Sequence, residues 1–177
     1  AHCGDLSNLE GLVETVREFR PDVVVNAAAY TAVDKAETDS QTAFLVNELA
    51  PEALSSVCAA IGAYLVHFST DYVFDGSGQK PWLETDATAP LNVYGHSKLA
   101  GEKGIAEQGA KHVIFRTSWV YGTEGGNFAK TMLRLAQERE RMTVINDQFG
   151  APTAAALLAD VTALALKASQ PLTGIYH

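Results

Sequence analysis

Apolar residues recur at Leu9, Leu12, Val13, Val16 and Phe19, the three-and-four spacing of one helix face, directly after the capping types Asp5, Ser7 and Asn8. Arg20 and Pro21 close that helix. The next run, Asp22-Val23-Val24-Val25-Asn26, is apolar and β-branched, which predicts a buried strand of the kind found in parallel sheets. It empties into Ala27-Ala28-Ala29-Tyr30-Thr31, small residues that suit either tight packing or close approach of backbone to a ligand. Over residues 38–61 a long helical pattern carries Phe44, Leu45, Val46, Leu49, Leu54, Val57 and Ile61, interrupted by Pro51. A proline there removes the hydrogen bond that would run back to the Asn47 carbonyl. The freed acceptor is either a kink satisfied by water or part of a proton relay.

Gly62 ends that helix, and Ala63-Tyr64-Leu65-Val66-His67-Phe68 reads as a second buried strand terminating on Ser69-Thr70-Asp71-Tyr72. Residues 75–81, rich in glycine, form a surface loop, and Pro90 introduces a helix that runs to about Glu107. His112-Val113-Ile114-Phe115-Arg116 is a third strand, delivering Thr117-Ser118-Trp119. Asn127 caps a helix expected to turn Phe128, Met132, Leu133 and Leu135 inward. Residues 142–145 read as a short strand, 146–153 as a polar loop, 154–168 as a buried helix, and 174–177 as the start of a strand. Strand alternating with helix predicts an α/β doubly wound, mainly parallel sheet. Ligands in such sheets bind beyond the carboxyl ends of strands, where residues 26–31, 69–71 and 117–119 are expected to converge.

A chain of 177 residues holds one domain with a proper core. Its net charge of -8, with no basic block, argues against nucleic acid as a partner. No apolar run reaches the ~20 residues of a membrane span, and no signal peptide is visible. Cys3 and Cys58 lack metal-type spacing, so they read as buried, reduced thiols of a cytoplasmic protein. The opening Ala1-His2-Cys3-Gly4-Asp5-Leu6 already sits inside a structured pattern, which suggests the central part of a larger subunit.

Within Leu91-Asn92-Val93-Tyr94-Gly95-His96-Ser97-Lys98, Tyr94 and Lys98 stand four residues apart and leave the same helix face. By itself this spacing is a weak signal, and a half-buried tyrosine beside a solvated lysine is its commoner meaning. The chemistry that needs the pair is proton delivery. A phenol of ordinary pKa near ~10 is a poor acid-base catalyst at neutral pH, and a nearby ammonium lowers that value.

Five strings together carry a resemblance: Val25 to Glu37 (VNAAAYTAVDKAE), Phe68 to Phe74 (FSTDYVF), Ala89 to Lys98 (APLNVYGHSK), Arg116 to Tyr121 (RTSWVY) and Asn146 to Thr153 (NDQFGAPT). In order and spacing the chain resembles the extended short-chain dehydrogenase/reductases, and within them the dTDP-4-dehydrorhamnose reductases. The resemblance implies a Rossmann-type NAD(P)-binding domain of which residues 1–177 are the central part, with residues 142–177 beginning the substrate-binding portion. It implies Thr70, Tyr94 and Lys98 as the catalytic trio. Tyr94 would protonate the C4 oxygen of a keto sugar, Lys98 would lower its pKa and hold the nicotinamide ribose, and Thr70 would hydrogen-bond the carbonyl. Asp5 and Leu6 would contact adenine, and Ala29, Tyr30 and Thr31 would line the cofactor, NADPH or NADH. Asn47 falls near the family's relay asparagine. Asp71 and Trp119 would contact the dTDP-sugar, with Asn127 and the 147–153 loop toward its nucleotide half. For Trp119 a core position, and for Asp71 a turn cap, are the plain alternatives. A homodimer, with Mg2+ at the subunit contact in some members, is likewise implied by resemblance alone.

The family's glycine-rich pyrophosphate loop is not among these residues, nor is the position that selects NADH or NADPH. The first β-α-β unit and the C-terminal substrate segments are therefore expected to be lacking. Two other readings share the fold: a non-catalytic regulatory subunit, like the relative that partners methionine adenosyltransferase, and another sugar-nucleotide reductase or epimerase.

Overall fold

The computed structural model describes residues 2–177, which form two compact units: the residues through Arg116 together with Leu172–His177, and Thr117–Pro171. The first unit opens with α1 (Leu9–Phe19), capped by Asn8, whose Oδ1 accepts from Gly11 N at 3.0 Å. Arg20 ends it in the left-handed region at φ 46°. Strand β1 (Val23–Asn26) follows, then the short α2 (Val33–Ala36) and α3 (Ser40–Phe44), a π-helical turn at Leu45–Leu49, and α4 (Ala50–Ile61). Strand β2 (Tyr64–Thr70) leads through a 3-10 turn (Asp71–Val73) and a loop into α5 (Val93–Glu107) and β3 (Lys111–Thr117).

Among the described residues the main sheet has four strands, in the order β1, β2, β3 and β6 (Gly174–Tyr176). β1 runs parallel to β2, and β6 parallel to β3. This is the parallel sheet with flanking helices that the alternating pattern predicts. Leu12, Val16, Leu54, Val57, Leu65, Ile105 and Ile114 pack into one buried cluster, so α1, α4 and α5 close over β2 and β3. β1 lies at the end of this order, and Val25 is exposed there; the expectation of a fully buried strand fails because only one neighbour covers it.

Pro51 acts as its chemistry requires. With no N–H to reach back, the preceding turn widens into the π segment and Pro51 sits in the first turn of α4. The helix therefore continues through the proline instead of breaking. As a result Ser40–Ile61 is 22 residues at mean hydropathy 1.3, long and apolar enough by length and composition to cross a membrane. That corrects the expectation that no run reaches this length. Its Leu54, Ser55, Val57 and Cys58 are nevertheless buried within the first unit.

The Asn47 carbonyl left by this turn looks onto Gly101 of α5, where a side-chain Cβ would collide with the oxygen. Gly101→Ala must push α5 off the π turn, and is expected to lower stability by about 2–3 kcal/mol in urea unfolding. An unchanged urea midpoint would show that the helices separate freely.

The second unit contains β4 (Val120–Tyr121), α6 (Phe128–Glu138), β5 (Thr153–Ala154) and α7 (Ala155–Lys167), with β4 parallel to β5. Several expectations fail here. Residues 142–145 form no strand, no residue of α6 is buried, and Phe128 and Leu133 are exposed. α7 buries only Thr162 and Ala165. Two short strands and two helices are too few elements to enclose these apolar faces. Cys58 is buried and Cys3 half-buried, both as free thiols.

Candidate functional site

The carboxyl end of β2 and the first turns of α5 meet at Thr70 and Tyr94. The Thr70 hydroxyl donates to Asp71 Oδ1 at 3.2 Å and accepts from Tyr72 N at 3.2 Å, capping the 3-10 turn. Asn92 caps α5, its Oδ1 accepting from Gly95 N at 2.7 Å, which fixes the start of the helix and hence Tyr94. The Tyr72 ring meets the Tyr94 ring edge-on at 5.5 Å. Burial raises the Tyr94 phenol above its ordinary value; the hydrogen bond with Thr70 pulls it down, and Asp71 and Tyr72 push it up. The phenol is thus kept protonated, as a proton donor must be.

Lys98 does not do what its spacing suggested. Its side chain is 1% exposed, and Nζ lies 3.2 Å from His67 Nε2 and donates to Phe68 O at 2.7 Å. The helix places Tyr94 and Lys98 on one side, but the lysine is directed at β2. Tyr94 takes its raised pKa from burial, so the expected lowering by Lys98 is absent in this arrangement. Burial lowers Lys98 itself to about 8, with Glu102 acting in the opposite sense.

Asn47, buried at the π turn, holds the segment after β1. Its Oδ1 accepts from Tyr30 N at 2.9 Å, and its Nδ2 donates to Tyr30 O at 3.0 Å and to Ser97 Oγ at 3.0 Å. Ser97 donates in turn to Tyr94 O at 2.8 Å. One buried amide therefore ties the Ala29-Tyr30-Thr31 turn to the helix of Tyr94. Ala27, Ala28 and Thr31 are exposed on this turn, while the Tyr30 hydroxyl donates to Asp39 Oδ2 at 3.1 Å.

The other anticipated residues are placed as follows. Asp5 Oδ1 accepts from Ser7 N at 2.9 Å and Ser7 Oγ at 2.7 Å, an exposed turn. The Leu6 side chain belongs to the core cluster. In the second unit Trp119 is 47% exposed and takes φ 45°, a strained backbone for a bulky residue. Its indole lies where a Cβ on Gly150 would be, 2.6 Å from the ring, so only glycine allows that contact. A plain core tryptophan is excluded by this exposure. Asn127 caps α6, with Oδ1 accepting from Lys130 N at 3.0 Å and Nδ2 donating to Gly122 O at 2.8 Å.

Sequence reasoning missed Asn26, His67 and Ser97. The signal was present, since a histidine and an asparagine inside apolar strands must find partners when buried. The β1–β2 register sets Asn26 beside His67, and Asn26 Nδ2 lies 3.1 Å from His67 Nδ1. Burial, and then Lys98, hold His67 well below its ordinary range, so it is neutral in the fold. Below about pH 6.5 the unfolded chain binds a proton that the folded one refuses. His67 therefore contributes stability above that pH that is lost as pH falls. Urea unfolding is expected to lose up to about 1.4 kcal/mol per pH unit between pH 6.5 and 5.5 from this group. His67→Phe should flatten that slope, and an equal slope in the variant would remove His67 as its source.

A family model described as the RmlD substrate binding domain matches residues 1–177. The chain is 62% identical over 99% of its length to the dTDP-4-dehydrorhamnose reductase of Escherichia coli strain K12, and 51% identical over 98% to that of Burkholderia thailandensis. It covers 60% of each of these relatives. Among solved structures it superposes on the dTDP-4-dehydrorhamnose reductase of Bacillus anthracis in complex with NADP, with TM-score 0.91 and 41% identity over 98% of this chain and 61% of that one. The ortholog from Clostridium acetobutylicum gives TM-score 0.93 at 37% identity, with the same coverage. The chain thus spans about 60% of the length of the curated relatives it matches.

Proposed function

From the premise that the chain belongs to the RmlD substrate binding domain family, we propose that the full-length protein reduces the C4 keto group of dTDP-4-dehydro-β-L-rhamnose to give dTDP-L-rhamnose. The observation that carries this reading is Tyr94: a phenol held protonated by burial and hydrogen-bonded with Thr70 at the carboxyl end of a parallel strand. Reduction of a ketone needs a proton on oxygen, and Tyr94 is the acid that supplies it. Thr70 orients the carbonyl oxygen toward that phenol, and Asp71 beside it binds sugar hydroxyls. Trp119 and Asn127 are assigned to the sugar nucleotide on the same reading.

The turn after β1 fits a dinucleotide, because Ala27 and Ala28 are small and exposed and Asn47 pins the Tyr30 backbone. NADPH or NADH, when bound, supplies the hydride to C4. Ala29, Tyr30 and Thr31 would line it, with Asp5 and Leu6 toward adenine. Lys98 is assigned to the nicotinamide ribose by resemblance; here its nitrogen lies on β2. The same reading carries a cytoplasmic homodimer. Among the described residues no three His, Cys, Asp or Glu side chains gather, so none is assigned to Mg2+.

The test is oxidation of NADPH and NADH by the full-length protein with dTDP-4-keto-6-deoxy-L-mannose. Turnover dependent on that sugar is expected, and the ratio of the two rates gives the cofactor preference. Cofactor binding without turnover would overturn the reading in favour of a regulatory nucleotide-binding subunit.

A further inference from the structure

The first backbone N–H groups of a helix have no partner within it. In α5 the first belongs to Val93, and it donates to Glu37 Oε1 at 2.8 Å. Glu37 stands 56 residues earlier, at the end of α2, on the segment that leaves β1. The helix already has a local cap, since Asn92 Oδ1 takes Gly95 N at 2.7 Å. The Glu37 contact is a second and long-range one. On the other side of the Tyr94 residue, its carbonyl oxygen accepts from Ser97 Oγ at 2.8 Å, and that hydroxyl accepts from Asn47 Nδ2 at 3.0 Å. Ser97 and Asn47 are both 0% exposed, so no water competes for these bonds. Asn47 gives its remaining bonds to Tyr30 N and Tyr30 O, on the same segment after β1. Beneath them, a Cβ on Gly95 would collide with Tyr72 O, so the first turn of α5 rests directly on the backbone that follows β2.

We propose that Glu37 and Ser97 are positioning residues that grip the main chain on both sides of Tyr94 and tie it to the segment assigned to the dinucleotide. The inference deepens the proposed reductase and rests on that reading for its consequence. The hydride comes from a ligand on the segment after β1 and the proton from α5, and both must reach one carbonyl group. A helix held only by its own cap can shift on the sheet and carry the acid with it. The two grips remove that freedom, because each runs from the segment after β1 to a backbone atom at or next to Tyr94. Proton transfer needs heavy atoms within about 2.6–3.2 Å, and a displacement of about 1 Å can cost ~10²-fold in rate. What the Val93 N–H requires is an acceptor oxygen and not a charge, and glutamine carries one at the same reach.

The test compares Glu37→Ala, Glu37→Gln and Ser97→Ala with the parent, all as full-length protein. Glu37→Ala and Ser97→Ala are each expected to lower kcat about tenfold, with KM for the sugar and the Kd of the cofactor within about twofold. The solvent deuterium isotope effect on kcat should rise in both, as proton transfer becomes the slower step. Glu37→Gln should regain most of the kcat. An unchanged kcat in Glu37→Ala, a loss that Glu37→Gln shares in full, or an unchanged isotope effect overturns the proposal. Glu37 is exposed, so its two variants keep the fold and decide alone should Ser97→Ala not fold. Amide hydrogen exchange of the ligand-free proteins supplies a second readout. The Val93 N–H is expected to exchange at least about tenfold faster in Glu37→Ala than in the parent or Glu37→Gln, because a donor without its partner is open to water, while the Gly95 N–H stays as it is. Equal Val93 exchange in all three also overturns the proposal. This readout needs no substrate, so a parent without turnover, which sinks the reductase reading, is told apart from failure of the grip.

Discussion

Tyr94→Phe is expected to lower kcat about 10³-fold while leaving the affinity for NADPH or NADH within a few-fold. The variant keeps the ring, and with it the edge-on contact to Tyr72 at 5.5 Å, so the start of α5 and the turn after β1 retain their shape. What disappears is the proton. A positioned general acid contributes typically ~10²–10⁴-fold, and the substituted ring offers the carbonyl oxygen no donor. Thr70 cannot take over fully, since its hydroxyl is already directed to Asp71 Oδ1 at 3.2 Å. Steady-state kinetics paired with cofactor titration check the result. Near-normal turnover would remove Tyr94 from the chemistry.

Glu102→Ala is expected to destabilise the first unit by about 3–5 kcal/mol. Arg116 Nε donates to Glu102 Oε1 at 2.9 Å and Nη2 to Oε2 at 2.7 Å, with side chains only 4% and 3% exposed. The guanidinium also stands over the Phe74 ring at 5.1 Å, and Phe74 stacks on Trp82. Removing the carboxylate strands a cation that water cannot reach, whereas removing both charges does not. The double variant Glu102→Leu with Arg116→Met is therefore expected to recover most of the loss. Against a total stability of order 5–15 kcal/mol the single exchange is severe. Urea unfolding of the three proteins decides it, and equal stability of the single variant and the parent would show the pair to be dispensable.

Much of the frame was legible because its signals are local. The cap at Asn8, the strands at β2 and β3, the helix of Tyr94 and the strand at Gly174–Tyr176 each lie where periodicity and turn chemistry set them. Pro51 even announced a freed carbonyl, and the π turn at Leu45–Leu49 is its structural form. The failures share a cause. Val25, Phe128, Leu133, Met142, Val144 and Ile145 are apolar, but apolarity alone does not say whether a neighbouring layer exists to cover them.

The chain by itself determined the α/β order and the motif strings, since these depend on residue type and short spacing. Only the tertiary structure decided where Lys98 points. Four residues along a helix put it on the same side as Tyr94, yet β2 offers it His67 Nε2 and Phe68 O, contacts 31 and 30 residues away in sequence. The role of Asn47 was settled likewise, by Tyr30 and Ser97 arriving from distant segments. A buried polar group must find its partners wherever the packing brings them, and sequence spacing does not encode that distance.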